Sequence, residues 1–170
     1  SDAGLRVINQ LDVHTHARHL APIAKKSGKN PKVVTALVKL ADKAKEGDDT
    51  SFLKYLKPKD KALANKVTLA RARHGDKSVG KAVLKIAAGL QGEARVKALR
   101  MYRPIASKAH SSEVAKLLGD APDGALALAV YEILALLGDR SMAAGASKLA
   151  MGTDVTLRPA GVYYLGRVGG

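Results

Sequence analysis

Cysteine and tryptophan are absent from this sequence, and aromatic residues make up only 4% of it. Without cysteine the chain has no disulfide, no thiolate metal site and no cysteine nucleophile. The core must therefore be built from Ala, Leu, Val and Ile. Because β-class folds use more aromatic and β-branched residues than this, the composition favours closely packed helices over a β-sandwich.

Long apolar runs are also missing. The longest covers residues 124–138, only 15 positions, and it contains Glu132. Since a helix needs about 20 apolar residues to cross a bilayer, no membrane-spanning segment is predicted. No signal-peptide pattern is visible, so the predicted location is the cytoplasm and no membrane partner is expected.

Acidic residues are scarce relative to basic ones. The chain has 29 Lys and Arg against 15 Asp and Glu, which gives a net charge of +14. The excess is uneven, because residues 1–119 hold 25 basic and 10 acidic residues, whereas residues 120–170 hold 4 and 5. The basic part predicts an acidic partner. The apolar remainder predicts an apolar partner or further chain.

A lysine recurs at a regular interval. It is central in the stretches FLKYL, VLKIA, VAKLL and ASKLA, as Lys54, Lys85, Lys116 and Lys148, and the intervals are 31, 31 and 32 residues. A period in this range is typical of stacked helical units that bury their apolar faces against one another. The sequence therefore predicts an all-α repeat architecture.

The helical periodicity predicts a pair of helices in each unit. The predicted helices cover residues 31–45 and 51–56, 59–73 and 78–88, 93–107 and 111–118, and 124–137 and 141–151, with one helix after residue 153. Before them, Asp12 is a predicted N-cap of a helix that Pro22 should kink or shorten. This divides the chain into an N-terminal capping helix within residues 1–29 and a single repeat domain over 30–170. The units cover about 30–59, 60–91, 92–122 and 123–153, with a partial unit at 154–170.

Most acidic residues have a predicted local role in the turns between helices. Glycine should relieve the backbone at the end of a first helix, and a following Asp or Ser should cap the second helix. The residues expected in these caps and turns are Asp48, Asp49, Asp76, Asp120, Asp123, Asp139 and Asp154. This assignment leaves the helix faces to lysine and arginine.

Two stretches resemble a known family: YEILALLGD at residues 131–139 and DVTLRPAGVYYLGRVG at residues 154–169. They are similar to the short bacterial type of HEAT repeat, in which an Asp-x-x-x-Arg start, a Leu-Gly ending and a Gly-Asp turn recur. The starting arginine is present only as Arg95 and Arg158. In the third unit Lys108-Ala109-His110 replaces the Gly-Asp turn.

The resemblance implies a right-handed α-solenoid of helix pairs, and most proteins of this type are scaffolds for other proteins. Some relatives are enzymes that act on DNA bases or bilin pigments, but their catalytic residues have no match in this chain. The last helix would leave one apolar face uncovered. This possible interface, for self-association or for further repeats, comprises Val162, Tyr163, Leu165 and Val168.

The recurring lysines predict a basic binding face. Positions i−2, i+1 and i+2 from each lysine are small or apolar, so the lysines should point outward from the second helices. The predicted face comprises Lys54, Lys77, Lys81, Lys85, Lys116 and Lys148. An equally weighted interpretation is a solvated lysine copied by duplication. If the face binds, an acidic protein segment is preferred, because aromatic residues that would stack on bases are rare. Sequence-independent nucleic-acid binding is the alternative.

Catalytic and metal sites have little support in the sequence. Asp12, His16 and His19 share one helical face, but a fourth metal ligand is not visible, so a solvated polar face is the preferred interpretation. Glu132 is expected on an exposed stripe or in an ion pair with Arg100 or Arg103. The sequence therefore predicts a protein that is not an enzyme and needs no cofactor or metal. A HEAT-like enzyme is the third hypothesis.

Overall fold

A computed structural model describes residues 2–169, including the side chains of all of these except 2–4 and 9. Over this range the chain forms ten α-helices and four short 3-10 helices, and no strand. The predicted all-α class is confirmed. The chain divides into two compact units, Ser1–Gly75 and Asp76–Gly170. The division into a capping helix and one repeat domain stays a prediction.

The first unit contains four α-helices and one 3-10 helix. They are α1 (Asp2–Gln10), α2 (Val13–Ser27), α3 (Pro31–Asp42), the 3-10 helix Ser51–Tyr55 and α4 (Lys61–Arg73). Helix α3 packs against α1, α2 and α4, and the 3-10 helix packs against α2. Leu20, Leu37, Phe52 and Leu53 are fully buried between these elements. The core is thus mainly aliphatic, as the composition predicts.

The N-terminal segment differs from the single helix expected there. Two helices form, because the chain breaks at Leu11 and Asp12 between α1 and α2. Asp12 caps α2 as predicted, accepting a hydrogen bond from the Thr15 backbone N–H at 2.7 Å. Pro22 does not shorten the helix, which continues to Ser27. Helix α2 therefore continues through Pro22, although proline has no backbone N–H to donate to the preceding turn.

The second helical segment of the first predicted unit is a 3-10 helix. It spans Ser51–Tyr55, and the backbone is already extended at Leu56. Proline at position 58 explains why no α-helix continues, because a proline disfavours helical geometry in the residue before it and cannot donate a backbone hydrogen bond. Helix α3 also ends at Asp42, three residues earlier than predicted.

The second unit contains six α-helices and three 3-10 helices. The α-helices are α5 (Gly80–Ala88), α6 (Gly92–Tyr102), α7 (Ser111–Lys116), α8 (Gly124–Leu136), α9 (Ala143–Met151) and α10 (Arg158–Val168). The 3-10 helices are Lys77–Val79, Arg103–Ile105 and Lys108–His110. Every predicted helix of this part has a counterpart within a few residues, although α7 is a short helix.

The predicted first helices pack in succession, α6 against α8 and α8 against α10. Each second helix packs closely on the first helix that follows it, α5 on α6, α7 on α8 and α9 on α10. Helices α9 and α10 approach each other closely for a clear reason. A Cβ atom at Gly161 would lie 2.6 Å from the Ala150 backbone N and would collide with the Ala146 carbonyl oxygen. Glycine therefore permits the two backbones to meet.

Three tyrosines lie at the centre of this unit. Tyr102, Tyr131 and Tyr164 are essentially inaccessible to solvent. The rings of Tyr131 and Tyr164 meet edge to face, with centroids 5.2 Å apart. The Tyr164 hydroxyl donates to the Asp139 carbonyl oxygen and accepts from the Met142 backbone N–H at 3.3 Å. The Tyr164 hydroxyl therefore connects helix α10 to the turn before α9.

The predicted Gly-Asp turns are present. Gly47, Gly75 and Gly138 have positive φ angles of 88°, 85° and 62°, a region that glycine adopts at low cost. The third unit has no Gly-Asp turn between its helices, and its turn makes a different contact. There the Tyr102 hydroxyl accepts a hydrogen bond from the Ser107 backbone N–H at 3.2 Å and lies 3.1 Å from His110 Nδ1. A buried tyrosine hydroxyl thus binds a backbone N–H in the turn of this unit.

Candidate basic binding surfaces

All lysines of the predicted basic face are exposed. They are Lys54 in the first unit and Lys77, Lys81, Lys85, Lys116 and Lys148 in the second. Their outward direction is confirmed. Among the side chains that the structure describes, no carboxylate oxygen lies within 4 Å of any of these six ammonium groups in a salt bridge. Their charge is therefore not neutralised by a direct ion pair.

Helix α5 illustrates why these lysines face outward. Val83, Leu84 and Ala87 are buried, whereas Lys81 and Lys85 are exposed. Residues four apart lie on the same side of a helix, so the two lysines form one exposed stripe opposite the packed side. The apolar pattern of the helix thus fixes the direction of its charges.

Many of the aspartate carboxylates accept hydrogen bonds from backbone N–H groups in the turns. In the second unit Asp139 accepts from the Ser141 N–H at 2.8 Å and from the Ser141 hydroxyl at 2.6 Å. Asp154 binds the Thr156 N–H and hydroxyl in the same way, at 2.8 and 2.7 Å. These hydrogen bonds from serine and threonine lower the pKa of both carboxyl groups. Acidic groups therefore stay in the turns, as predicted.

The same use of aspartate recurs in the rest of the chain. The further carboxylates that accept backbone N–H groups belong to Asp12, Asp48, Asp49, Asp60, Asp76 and Asp123. Asp120, which the sequence also suggested, lies exposed after Gly119. Because half of the acidic residues bind locally in this way, the helix faces keep a strong positive excess.

A second group of lysines was not singled out from the sequence. Lys25, Lys26, Lys29 and Lys57 line one open pocket of about 650 Å³ in the first unit, together with Tyr55. None of these lysines is in register with the recurring lysine at position 54, and Lys57 is distant from the other three in the sequence. The signal that could have revealed them is the absence of any acidic residue from 13–41.

The candidate metal ligands do not form a site. His16 Nδ1 lies 3.4 Å from the Asp12 carboxylate, but the His19 ring accepts a hydrogen bond from Arg18 Nε at 3.1 Å. Within the described part of the chain no three His, Asp or Glu side chains come together so as to hold a metal ion. Asp12 instead caps helix α2, and this cap lowers the pKa of its carboxyl group.

Glu132 forms one of the predicted ion pairs. Its carboxylate oxygen lies 3.6 Å from Arg103 Nη1, and its side chain is 27% exposed. A half-exposed pair at this distance contributes about 1 kcal/mol or less to stability. The pair joins helix α8 to the 3-10 helix Arg103–Ile105, and we assign it no chemical role.

The predicted apolar interface requires a correction. Val162 is 59% exposed, and Tyr163 and Leu165 are half-buried. Val168 is only 6% exposed and belongs to the core, because its helical position turns it to the same side as the buried Tyr164. Two exposed residues that the sequence did not suggest, Val155 and Met151, lie before α10 and at the end of α9.

Comparison with protein-family models, with curated proteins and with solved structures gives no match to this chain. No helix among the described residues has both the length and the apolar character needed to cross a membrane.

Proposed function

We propose that this protein is a non-enzymatic binding module, a HEAT-like right-handed α-solenoid of a bacterial cytoplasmic scaffold. Its ligand is an acidic protein segment, which binds to the exposed lysines of the second helices. The observation that carries this proposal is the combination of exposed lysines without carboxylate partners and aspartates held in turns. Such a surface attracts negative charge and has little internal compensation.

The two arginines that match the start of a HEAT repeat support the assignment of the repeats. Arg95 Nε donates to the Leu90 carbonyl oxygen at 2.8 Å, and Arg158 Nε donates to the Gly152 carbonyl oxygen at 2.7 Å. Both carbonyl groups follow the end of the preceding second helix. Two arginines at equivalent sequence positions therefore make equivalent contacts, as copies of one unit would.

The choice of a protein partner over nucleic acid is based on side-chain type. The predicted second helices carry two aromatic residues, and one of them, Phe52, is buried in the core. Lys25 and Lys54 lie over the ring of the other, Tyr55, with Nζ atoms 4.7 and 5.2 Å from the centroid. Base stacking would need such a ring to be free. Lysine also lacks the planar fork with which arginine binds phosphate in a bidentate manner. Nucleic-acid binding is the alternative function, and a HEAT-like enzyme is the third.

A direct comparison of two labelled probes tests the proposal. Fluorescence anisotropy would follow binding of a poly-glutamate peptide and of a short DNA duplex at about 0.15 M salt. We expect the peptide to bind more tightly than the duplex. Tighter duplex binding with a steep negative salt dependence would replace the proposal by the nucleic-acid alternative. Failure of both probes to bind would contradict an electrostatic binding surface.

A further inference from the structure

The lysine pocket of the first unit is distinct from the face formed by the second helices. It lies where the end of α2, the start of α3 and the segment after the 3-10 helix Ser51–Tyr55 meet. Four lysines contribute to its wall: Lys25, Lys26, Lys29 and Lys57. The pocket therefore collects like charges from two separate segments of the chain.

A backbone contact holds the two segments together. The Lys57 N–H donates to the Gly28 carbonyl oxygen at 2.8 Å. Gly28 is buried, and a Cβ atom there would collide with the carbonyl oxygens of Ala24 and Tyr55. The close approach thus requires glycine, and it fixes Lys29 and Lys57 on neighbouring stretches of backbone. The positive charges are brought together by the fold before any ligand arrives.

Among the described residues no acidic side chain lines this pocket, and the surrounding sequence is free of acids over residues 13–41 and 50–59. The Lys25 and Lys54 Nζ atoms lie 4.7 and 5.2 Å from the centroid of the Tyr55 ring, which is a favourable cation–π arrangement. The ring therefore stabilises the ammonium group of Lys25, which lines the pocket, and that of the neighbouring Lys54, without neutralising either.

Helix ends explain only part of this cluster. Lys25 and Lys26 lie in the last turn of α2, where positive charge is favourable. Asn30 caps α3 and occupies the Lys32 and Val33 backbone N–H groups, at 3.0 and 3.4 Å. Lys29 and Lys57 lie outside any helix and complete no cap. Their presence in the same pocket is therefore the feature that points to a ligand.

We propose that this pocket binds a compact ligand that carries several phosphate groups. Its volume of about 650 Å³ lies within the range of small-molecule sites, roughly 300–1,000 Å³. Phosphate concentrates up to about two charges and three acceptor oxygens in one small group. Lysine supplies a compact ammonium with three donors, which suits such a group. An extended acidic peptide distributes its charge along a chain, so only part of that charge would lie in a pocket of this volume.

The test uses inorganic tripolyphosphate as the probe and isothermal titration calorimetry of the whole chain at about 0.15 M salt. The pocket variant combines Lys29→Glu with Lys57→Glu. The matched control combines Lys43→Glu with Lys66→Glu, two exposed lysines of the same unit outside the pocket. Both variants change the net charge equally. Circular dichroism of both would verify that the helices are intact.

The proposal predicts that the pocket variant loses affinity at least about tenfold, whereas the control variant changes about twofold or less. Orthophosphate should bind more weakly than tripolyphosphate. Equal losses in the two variants would overturn the pocket in favour of a diffuse attraction. Absence of tripolyphosphate binding to the original chain would also overturn it, as would tighter binding of a DNA duplex that depends on Lys29 and Lys57. The pocket variant leaves all six lysines of the predicted basic face unchanged. The proposed function is therefore tested separately.

Discussion

At the scale of single residues, aspartates hold the turns that precede helices. Asp139 and Asp154 each bind the N–H and the hydroxyl of the residue two positions later, and Asp49 binds the Ser51 N–H. The sequence predicted this use because Asp follows Gly in the turns. It did not predict that the Tyr102 hydroxyl binds the Ser107 N–H in the third unit, because no sequence pattern marks this contact.

These contacts predict a dependence of stability on pH. The lowered pKa of Asp139 means that its ionised form is stabilised in the folded state. Its contribution is present above the ordinary aspartate pKa of about 3.9 and is lost as the pH falls through the lowered folded value. Asp139→Asn should therefore reduce the free energy of unfolding by about 1 kcal/mol near pH 7 and by less near pH 2.

Urea denaturation from about pH 7 down to about pH 2 would measure this difference. Asp120→Asn removes the same charge from an exposed position and serves as the control. A loss of stability in Asp139→Asn that is the same at every pH would show that the ionised carboxylate is not what the fold uses.

A second residue-scale prediction concerns two glycines of helix α10. Gly161→Ala should destabilise the protein by about 1–3 kcal/mol, because the new methyl group would meet the backbone of α9. Gly166→Ala has open space around it and should be neutral or stabilise by up to about 1 kcal/mol. Thermal denaturation followed by circular dichroism would compare them. Equal melting temperatures would mean that α9 and α10 do not approach as described.

At the scale of helices, the sequence predicted where most helices lie. It did not predict their type or the residues at which they end. Regular apolar spacing located α4, α8 and α10 within a few residues. The pattern could not separate α1 from α2, nor a 3-10 helix from an α-helix at Ser51–Tyr55. Such short segments contain too few residues for periodicity to decide, and tertiary contacts determine their geometry.

The contact between α10 and the turn before α9 gives an element-scale prediction. Tyr164→Phe removes the hydroxyl that bonds the Asp139 carbonyl and the Met142 N–H, and it leaves two partly buried backbone groups without this partner. The expected loss is about 1–3 kcal/mol. Tyr163→Phe, on the same helix but half-buried, should change stability by about 0.5 kcal/mol or less. Urea denaturation would measure both, and equal losses would contradict the assigned role of the Tyr164 hydroxyl.

At the scale of the whole molecule, composition predicted the helical class and the excess of positive charge, and the repeat interval predicted which lysines are exposed. The lysine pocket could not be predicted, because it depends on Gly28 bringing Lys57 next to Lys29. The interval alone also could not show that Val168 is buried. Local periodicity therefore located charges on helices, whereas their grouping into a pocket required the tertiary fold.

The central claim is that the lysines of the second helices form the binding surface. The measurement that tests it most directly is the anisotropy of a labelled poly-glutamate peptide titrated with two charge-reversed variants. One carries Glu at Lys54, Lys85, Lys116 and Lys148, and the other carries Glu at Lys43, Lys61, Lys66 and Lys97, which are also exposed. With helicity unchanged in both, we expect binding to be abolished in the first and largely retained in the second. Equal binding by the two variants would contradict the account.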